Sequence, residues 1–367
     1  MRLDRRVLVS LLLAALSIQA VAQDRATLLR EAVDPFKQAV EKDHIRGAVL
    51  YVAERGTPVL FEAVGYRHFE SRAPMEKDTL FRMASNTKPV VATAVLMLQD
   101  DGRLSVDDPV AKYLPSFDNN KSRRITIAQL LSHSSGLRIE PIFYPFKKGD
   151  EISLKAAVAK FGAEGPKAAP GAYSYSNAGY NTLGAIIEAV SGMPLETFLS
   201  TRIYEPLGMT DTLHHADPAK LDRMATVYRG QQRGTSVTFT KGWTPGDLPD
   251  YPIVRASGGM IATAADYAKF LEMFRQKGMF NGNRLMKAET VQAMITPRVK
   301  TGQAGWSYGY GWMIAPGGVF SHTGSDGTMA WVDPSREVIG MVLTQSPGGI
   351  NPVTEFPRKV NAALAVR

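Results

Sequence analysis

Short hydrophobic runs lie near both ends of the chain. Two of them, at residues 48–53 and 59–64, flank a turn at 55–58 that contains Gly and Pro, and this pattern predicts a β-hairpin. An amphipathic helix is predicted before the hairpin, where apolar residues recur at helical spacing between 29 and 40, and a last helix is predicted over about 353–365. Four further strands are predicted towards the C-terminus, at 308–314, 319–323, 328–332 and 338–344.

The middle of the chain follows the helical period instead. Apolar residues recur every three or four positions over 90–98, 183–190 and 195–199, which predicts three helices. Gly102 and Gly192 follow the first two of these segments, and glycine is a common residue just past the end of a helix.

Strands at both ends with helices between them predict one sheet that the two termini complete together. The expected fold class is α/β (α+β): an antiparallel sheet formed by the N- and C-terminal segments, flanked by helices, with a mainly helical lobe inserted. The α/β lobe is expected at about 23–80 and 255–367, and the helical lobe at about 81–254. Within that lobe, residues 230–255 are rich in Thr, Gly and Pro and predict a loop.

The first 22 residues have the composition of a cleaved signal peptide. Three arginines lie within the first six positions, an apolar run follows at 7–18, and Ala20-Val21-Ala22 supplies small residues before a cleavage site. The apolar run is too short to span a bilayer, which requires about 20 residues. We therefore expect a periplasmic or secreted protein with no stable membrane anchor after signal cleavage, its mature domain formed by residues 23–367.

Composition narrows the possible chemistry. Without residues 1–22 the chain has 40 basic and 34 acidic residues, a net charge of +6. The tight basic clusters at 121–124 and 147–148 contain no aromatic residues, so they indicate solvated loops and no nucleic-acid partner. The absence of cysteine excludes disulfides, thiolate metal ligands and a cysteine nucleophile. The six histidines match no ligand spacing, and we expect neither a metal nor a cofactor.

The first candidate for chemistry is the S-x-x-K motif formed by Ser85 and Lys88 at the start of the first middle helix. Residues three apart share a helix face, so the Lys88 amine can reach the Ser85 hydroxyl, and a serine nucleophile needs such a neighbouring base. A backbone N–H at a helix start also favours negative charge. By itself the motif is weak, because it is expected about once by chance in a chain this long, and Ser85 could equally be a helix N-cap.

Two further motifs follow. Tyr175-Ser176-Asn177 precedes the second middle helix; a tyrosine can act as a base where nearby cations lower its pKa from about 10, and Asn177 can donate to or accept from an acyl group. His322 and Gly324 lie on a late strand, where glycine allows a substrate to approach the strand edge. Taken singly, a Tyr and Asn before a helix indicate packing and capping, and a lone strand histidine indicates a structural role.

Together, and in this order, the three motifs resemble the serine β-lactamase and penicillin-binding-protein superfamily, most closely its class C β-lactamase branch. Three other stretches are similar to the same family, at residues 125–137, 205–212 and 257–260. The resemblance extends from about residue 30 to the end of the chain. It implies a β-lactamase/transpeptidase-like fold and a serine hydrolase, a class that includes carboxylesterases and D-amino-acid peptidases.

The resemblance also implies roles for the motif residues. Ser85 would attack the substrate carbonyl and become acylated, assisted by Lys88 and Tyr175, and which of the two removes the proton stays open. The backbone N–H groups of Ser85 and Ser325 would form the oxyanion hole, each donor contributing about 3 kcal/mol. The other residues implied to contact substrate are Asn177, His322 and Gly324.

His322 departs from the family pattern, because many members have a lysine there that binds the substrate carboxylate. Histidine is largely neutral at pH 7.5, although it could donate a hydrogen bond to Tyr175 or to substrate. We therefore expect an exported, carboxylesterase-type hydrolase of small esters with weak β-lactamase activity. Two alternatives remain: a D-amino-acid peptidase or β-lactamase that acts on short cell-wall peptides or antibiotics, and a non-catalytic homologue that binds peptidoglycan.

Overall fold

A nine-stranded antiparallel sheet organises the fold. The computed structural model describes residues 23–215, 217–247 and 251–366, and the expected signal peptide at 1–22 lies outside them. The strands of the large sheet are β1 (Gly47–Glu54), β2 (Thr57–His68), β3 (Ala73–Pro74), β10 (Val299–Lys300), β11 (Ser307–Tyr308), β12 (Met313–Ile314), β13 (Phe320–Gly324), β14 (Thr328–Asp333) and β15 (Val338–Thr344). Their order across the sheet is β10-β11-β12-β13-β14-β15-β1-β2-β3.

The two ends of the chain meet inside this sheet. β1 pairs with β15 in antiparallel register from Ala48 opposite Thr344 to Glu54 opposite Val338. Both strands are almost uniformly apolar and almost entirely buried, as strands covered on both faces must be. The predicted antiparallel sheet, formed by N- and C-terminal segments and flanked by helices, is confirmed.

Smaller elements complete the structure. The short ribbons outside the large sheet pair β4 (Phe81–Arg82) with β7 (Ile261–Ala262), β5 (Val227–Arg233) with β6 (Ser236–Trp243), and β8 (Met279–Phe280) with β9 (Asn283–Arg284). The helices are α1 (Asp34–Glu41), α2 (Thr87–Asp100), α3 (Ile127–Leu131), α4 (Leu154–Glu164), α5 (Asn177–Ser191), α6 (Leu195–Leu199), α7 (Glu205–Leu207), α8 (Ala264–Arg275), α9 (Ala288–Met294) and α10 (Phe356–Leu364). The three helices predicted in the middle of the chain correspond to α2, α5 and α6. Within the described ranges no helix has the length and apolar character to cross a membrane.

Helices cover both faces of the sheet. On one face α1 packs against α10, with the Phe356 ring centre 5.7 Å from that of Phe36 and 5.9 Å from that of Trp331 on β14. The larger core cluster surrounds α2, in which every residue from Thr87 to Leu98 is buried. A helix enclosed on all sides is held in place by packing, so α2 is a fixed platform for the residues at its N-terminal end.

Two local predictions are wrong. The segment expected to be a loop at 230–255 includes most of the β5–β6 hairpin, whose backbones pair while most side chains of β6 remain in water. No buried face imposes an alternating pattern on this ribbon, so its sequence resembles that of a loop. The single strand predicted at 308–314 is two strands, because Gly311 turns the chain (φ 87°) where its backbone packs tightly against Pro89 and Ala92 of α2.

Candidate active site

Ser85 lies in a short 3₁₀ turn, Ala84–Asn86, which leads directly into α2. Ala84 has a positive φ of 45°, a conformation that is uncommon for a residue with a side chain. Asn86, and not Ser85, occupies the N-cap position of α2. The helix-capping alternative for Ser85 is therefore not realised, and its hydroxyl, half-buried at the edge of the core, contacts Lys88 instead.

The amine of Lys88 is completely buried and has three polar neighbours. Its Nζ lies 2.9 Å from Ser85 Oγ, 2.9 Å from Asn177 Oδ1 and 2.7 Å from the carbonyl oxygen of Ser257. The amide and carbonyl oxygens can only accept hydrogen bonds, so they engage two N–H groups of the amine. The third position points at the Ser85 hydroxyl, and in a neutral amine that position is the lone pair.

Burial lowers the pKa of Lys88 well below its usual value, because the ammonium form is no longer solvated by water. The nearby Arg255 guanidinium lowers this pKa further, whereas the Glu140 carboxylate acts in the opposite direction. The proton-accepting form of the amine is thus favoured where the Ser85 hydroxyl needs a base.

Tyr175 lies two residues before α5, half-buried, with its ring centre 4.7 Å from Lys88 Nζ. Burial raises the pKa of Tyr175, and a hydrogen bond with Ser85 offsets this only in part. This direction is opposite to that of a tyrosine base, whose pKa nearby cations lower. At neutral pH the phenol of Tyr175 holds its proton and can donate it.

Helix α5 contributes two asparagines to the site. Ser176 caps the helix, and Asn177 and Asn181 follow one turn apart on the same face. The oxygen Oδ1 of Asn177 accepts directly from Lys88 Nζ. The buried Asn181 acts on Lys88 indirectly, through Ser257. Its Oδ1 accepts from the Ser257 N–H at 3.0 Å and so positions this residue, whose carbonyl oxygen binds Lys88.

Strand β13 ends beside the Ser85 turn because residue 324 is glycine. A Cβ at Gly324 would lie 2.5 Å from the Met83 carbonyl oxygen and 2.2 Å from Thr328 Oγ1. Thr328 Oγ1 donates to that same carbonyl at 3.0 Å and accepts from Asn86 Nδ2 at 2.8 Å. The Met83 backbone and the Thr328 hydroxyl therefore leave no room for a side chain at residue 324, and this close packing ties the sheet to the turn.

The oxyanion-hole candidates are the backbone N–H groups of Ser85 and Ser325. Neither donates to a backbone carbonyl in the part of the chain that the structure describes. The neighbour of Ser325, Asp326, is buried and accepts from Arg82 Nε at 3.1 Å, while Gln345 donates to its carbonyl oxygen at 3.2 Å. These contacts hold the turn that carries the Ser325 N–H.

His322 is buried, and both of its ring nitrogens have partners within the protein. Nδ1 lies 2.8 Å from the carbonyl oxygen of Thr323, so Nδ1 carries the proton, and Nε2 accepts from the Tyr308 hydroxyl at 3.1 Å. Burial, together with repulsion from Lys88, lowers the pKa of His322 to about 3. The ring is neutral, as expected, but it has no proton left to donate to Tyr175 or to a substrate.

Three groups that contact the site residues or their neighbours were not predicted from the sequence: the Ser257 carbonyl, the Asn181 amide, and the His133 imidazole, whose Nδ1 accepts from the Ser176 N–H at 3.0 Å. The available signal was the family resemblance of residues 125–137 and 257–260. That resemblance identifies segments of the chain but does not show which of their atoms contact the site. What a backbone carbonyl contributes depends on which side chain the fold brings next to it.

The chain also contains a G-x-S-x-G pentapeptide, at residues 305–309, the pattern that places a nucleophilic serine between a strand and a helix in α/β-hydrolases. Here Ser307 lies in the two-residue strand β11, which pairs with β10 and β12. The element that follows is β12 and not a helix. The pentapeptide therefore forms no nucleophile elbow, and the S-x-x-K serine is the better candidate.

Comparisons with known proteins find similar hydrolases. Esterase EstB of Burkholderia gladioli is 30% identical over 334 residues, which cover 81% of this chain and 82% of the esterase. The structure of EstCE1, described as a hydrolase with promiscuous acyltransferase activity, has a TM-score of 0.76 at 25% identity and covers 92% of this chain and 99% of that chain. The D-amino acid amidase of Ochrobactrum anthropi SV3, complexed with D-phenylalanine, has a TM-score of 0.73 at 25% identity and covers 92% and 98%.

The fold and these similarities define a serine hydrolase. More specifically, the sequence model of the Beta-lactamase family matches residues 32–364, and the chain belongs to that family. The resemblance stated from the sequence motifs is thereby confirmed. A hydrolase class that includes esterases and amidases also weighs against the alternative of a non-catalytic peptidoglycan-binding homologue.

Proposed function

We propose that the chain is an exported serine hydrolase of the carboxylesterase type, which cleaves small esters through an acyl-enzyme on Ser85 and has weak β-lactamase activity. The observation that carries this proposal is the position of the Lys88 amine. The amine is buried, lies 2.9 Å from Ser85 Oγ, and otherwise contacts two oxygens that can only accept hydrogen bonds. A desolvated amine with a lowered pKa suits the task of activating a serine. The similarity to Esterase EstB supports the choice of ester substrates.

In the proposed reaction, Ser85 Oγ attacks the ester carbonyl carbon while Lys88 Nζ accepts the hydroxyl proton. The negative charge that forms on the carbonyl oxygen is bound by the N–H groups of Ser85 and Ser325. As the bond to the alcohol breaks, Tyr175 donates its proton to the leaving oxygen and is reprotonated from Lys88. Water then attacks the acyl carbon while the neutral Lys88 Nζ accepts its proton, and the bond from the acyl carbon to Ser85 Oγ breaks as that proton passes to Ser85 Oγ and the acid leaves.

The surroundings of His322 favour neutral esters over β-lactams. A β-lactam antibiotic carries a carboxylate, and the family position that often binds it with a lysine holds a buried neutral ring here, with a pKa of about 3. A simple ester has no carboxylate, so the absence of a lysine at this position does not weaken its binding. This contrast is the reason for expecting ester hydrolysis to exceed β-lactam hydrolysis.

The proposal is tested by kcat/KM for p-nitrophenyl butyrate, nitrocefin and a D-alanyl-D-alanine peptide. We expect the ester value to be the largest, and Ser85→Ala to lower it by at least about 10³-fold because no nucleophile remains. Ser307→Ala is the matched control, since it removes the serine of the other hydrolase-like motif, and it should keep the wild-type rate. Full activity in Ser85→Ala, or its loss in Ser307→Ala, would contradict the assignment of the nucleophile.

A second candidate function, hydrolysis of D-amino-acid amides or peptides, is favoured by an observation at the mouth of the site. Glu140 is exposed, its Oε1 lies 3.5 Å from Asn177 Nδ2, and its charge acts on Lys88. A carboxylate at this place suits a substrate with a free ammonium group beside the scissile carbonyl. The structural similarity to the D-amino acid amidase of Ochrobactrum anthropi supports this candidate.

This candidate predicts selectivity for a free amine. The ratio of kcat/KM for D-phenylalanine p-nitroanilide to that for its N-acetyl derivative should fall about 10-fold in Glu140→Gln, because one charge pair is lost. Glu151→Gln, a change of another exposed glutamate on the same segment, should leave the ratio unchanged. An unchanged ratio in Glu140→Gln would remove the support for an amine-recognising site.

Export is proposed on the composition of residues 1–22. Expression of the full chain in a Gram-negative host, followed by mass spectrometry of the periplasmic fraction, should find a mature protein that begins at Gln23. Recovery of the uncleaved chain in the cytoplasm alone would contradict the proposal.

A further inference from the structure

A buried histidine, His133, packs against the ring of Tyr175. His133 has no exposed surface, and its ring is enclosed by four tyrosine rings. That of Tyr175 is the nearest, with the two ring centres 4.2 Å apart. The others, at 4.7 Å, 4.9 Å and 6.1 Å, belong to Tyr308, Tyr180 and Tyr173.

The same histidine anchors the backbone on both sides of Tyr175. The Ser174 N–H donates to the carbonyl oxygen of His133 at 2.7 Å, and the Ser176 N–H donates to its Nδ1 at 3.0 Å. One residue thus binds the backbone N–H groups of both neighbours of Tyr175 and packs its ring against the tyrosine ring.

This arrangement is costly for the fold. His133 adopts a left-handed backbone conformation with φ 56°, which is uncommon for a residue with a side chain. Because Nδ1 accepts a hydrogen bond, the neutral ring carries its proton on Nε2, and that buried nitrogen has no partner among the described residues. Burial lowers the pKa of His133 well below its usual value, so the ring stays neutral. A leucine would fill such a space without the unpaired N–H.

We propose that His133 is a positioning residue, which holds the Tyr175 hydroxyl at the distance from Ser85 and the leaving group that proton transfer requires. The inference rests on the proposed role of Tyr175 as the proton donor. Small displacements of a catalytic group, of the order of 1 Å, can lower a rate about 10²-fold. His133 itself touches no reacting atom, and its effect passes through the Ser174 and Ser176 backbone and the tyrosine ring.

The test is a double-mutant cycle with p-nitrophenyl butyrate. His133→Leu removes the Nδ1 acceptor and should lower kcat about 10- to 100-fold with KM changed less than about 3-fold. In a Tyr175→Phe background the same change should lower kcat by less than about 3-fold, because there is no hydroxyl left to position. His133→Asn should recover most of the loss, since Asn Oδ1 occupies the place of His Nδ1 and asparagine tolerates positive φ.

Two outcomes would overturn the proposal, and they differ from a failure of the proposed function. If His133→Leu lowers kcat equally in both backgrounds, or if His133→Asn is as impaired as His133→Leu, then His133 acts on folding and not on Tyr175. If Tyr175→Phe keeps the full rate, the proposed role of Tyr175 fails first. Val360→Ala, a buried change in α10 on the other face of the sheet, controls for stability: it should lower the melting temperature but not kcat.

Discussion

The site depends on the exclusion of water from the Lys88 amine. Placing an ammonium group in the interior costs several kcal/mol, and the protein meets this cost by favouring the neutral form and by supplying three polar contacts. Those contacts come from three separate parts of the chain: the turn before α2, the start of α5, and the Ser257 carbonyl. The reactivity of Ser85 therefore depends on the packing of the helical region, because that packing keeps water away from the Lys88 amine. Water that entered this enclosure would restore the charged ammonium and remove the base.

The sheet brings the second half of the site to the same place. β15 pairs with β1 and β14, and β13 then follows, so the strand that carries His322 and Gly324 is held in register with the N-terminal hairpin. Glycine at position 324 lets β13 lie against the Met83 carbonyl, next to the nucleophile. The Ser325 N–H then lies in the turn after β13, which the contacts of Arg82 and Gln345 with Asp326 hold in place. A site assembled from both ends of the sequence in this way requires a fully formed sheet.

The sheet and the three middle helices could be predicted from the sequence. So could the candidate residues whose side chains have a chemistry suited to the reaction. Ser85, Lys88, Tyr175 and Asn177 do lie together, and the order of their motifs identified the family. Contacts made by backbone atoms or through a second residue were not predictable, because they depend on packing: the Ser257 carbonyl and the His133 imidazole are examples. The ionisation of Tyr175 could not be predicted either, since it depends on how deeply the ring is buried. The β5–β6 hairpin was missed because its exposed strands lack a hydrophobic face.

The central claim, that a neutral Lys88 and not Tyr175 removes the Ser85 proton, is tested most directly by the pH dependence of Ser85 labelling with a fluorescent phosphonate. A base with a lowered pKa is active above that pKa, so the labelling rate should rise with pH through an inflection well below the ordinary lysine value of 10.5. The same inflection should persist in Tyr175→Phe. An inflection at or above pH 10 that disappears in Tyr175→Phe would contradict the account and assign the proton to the tyrosine.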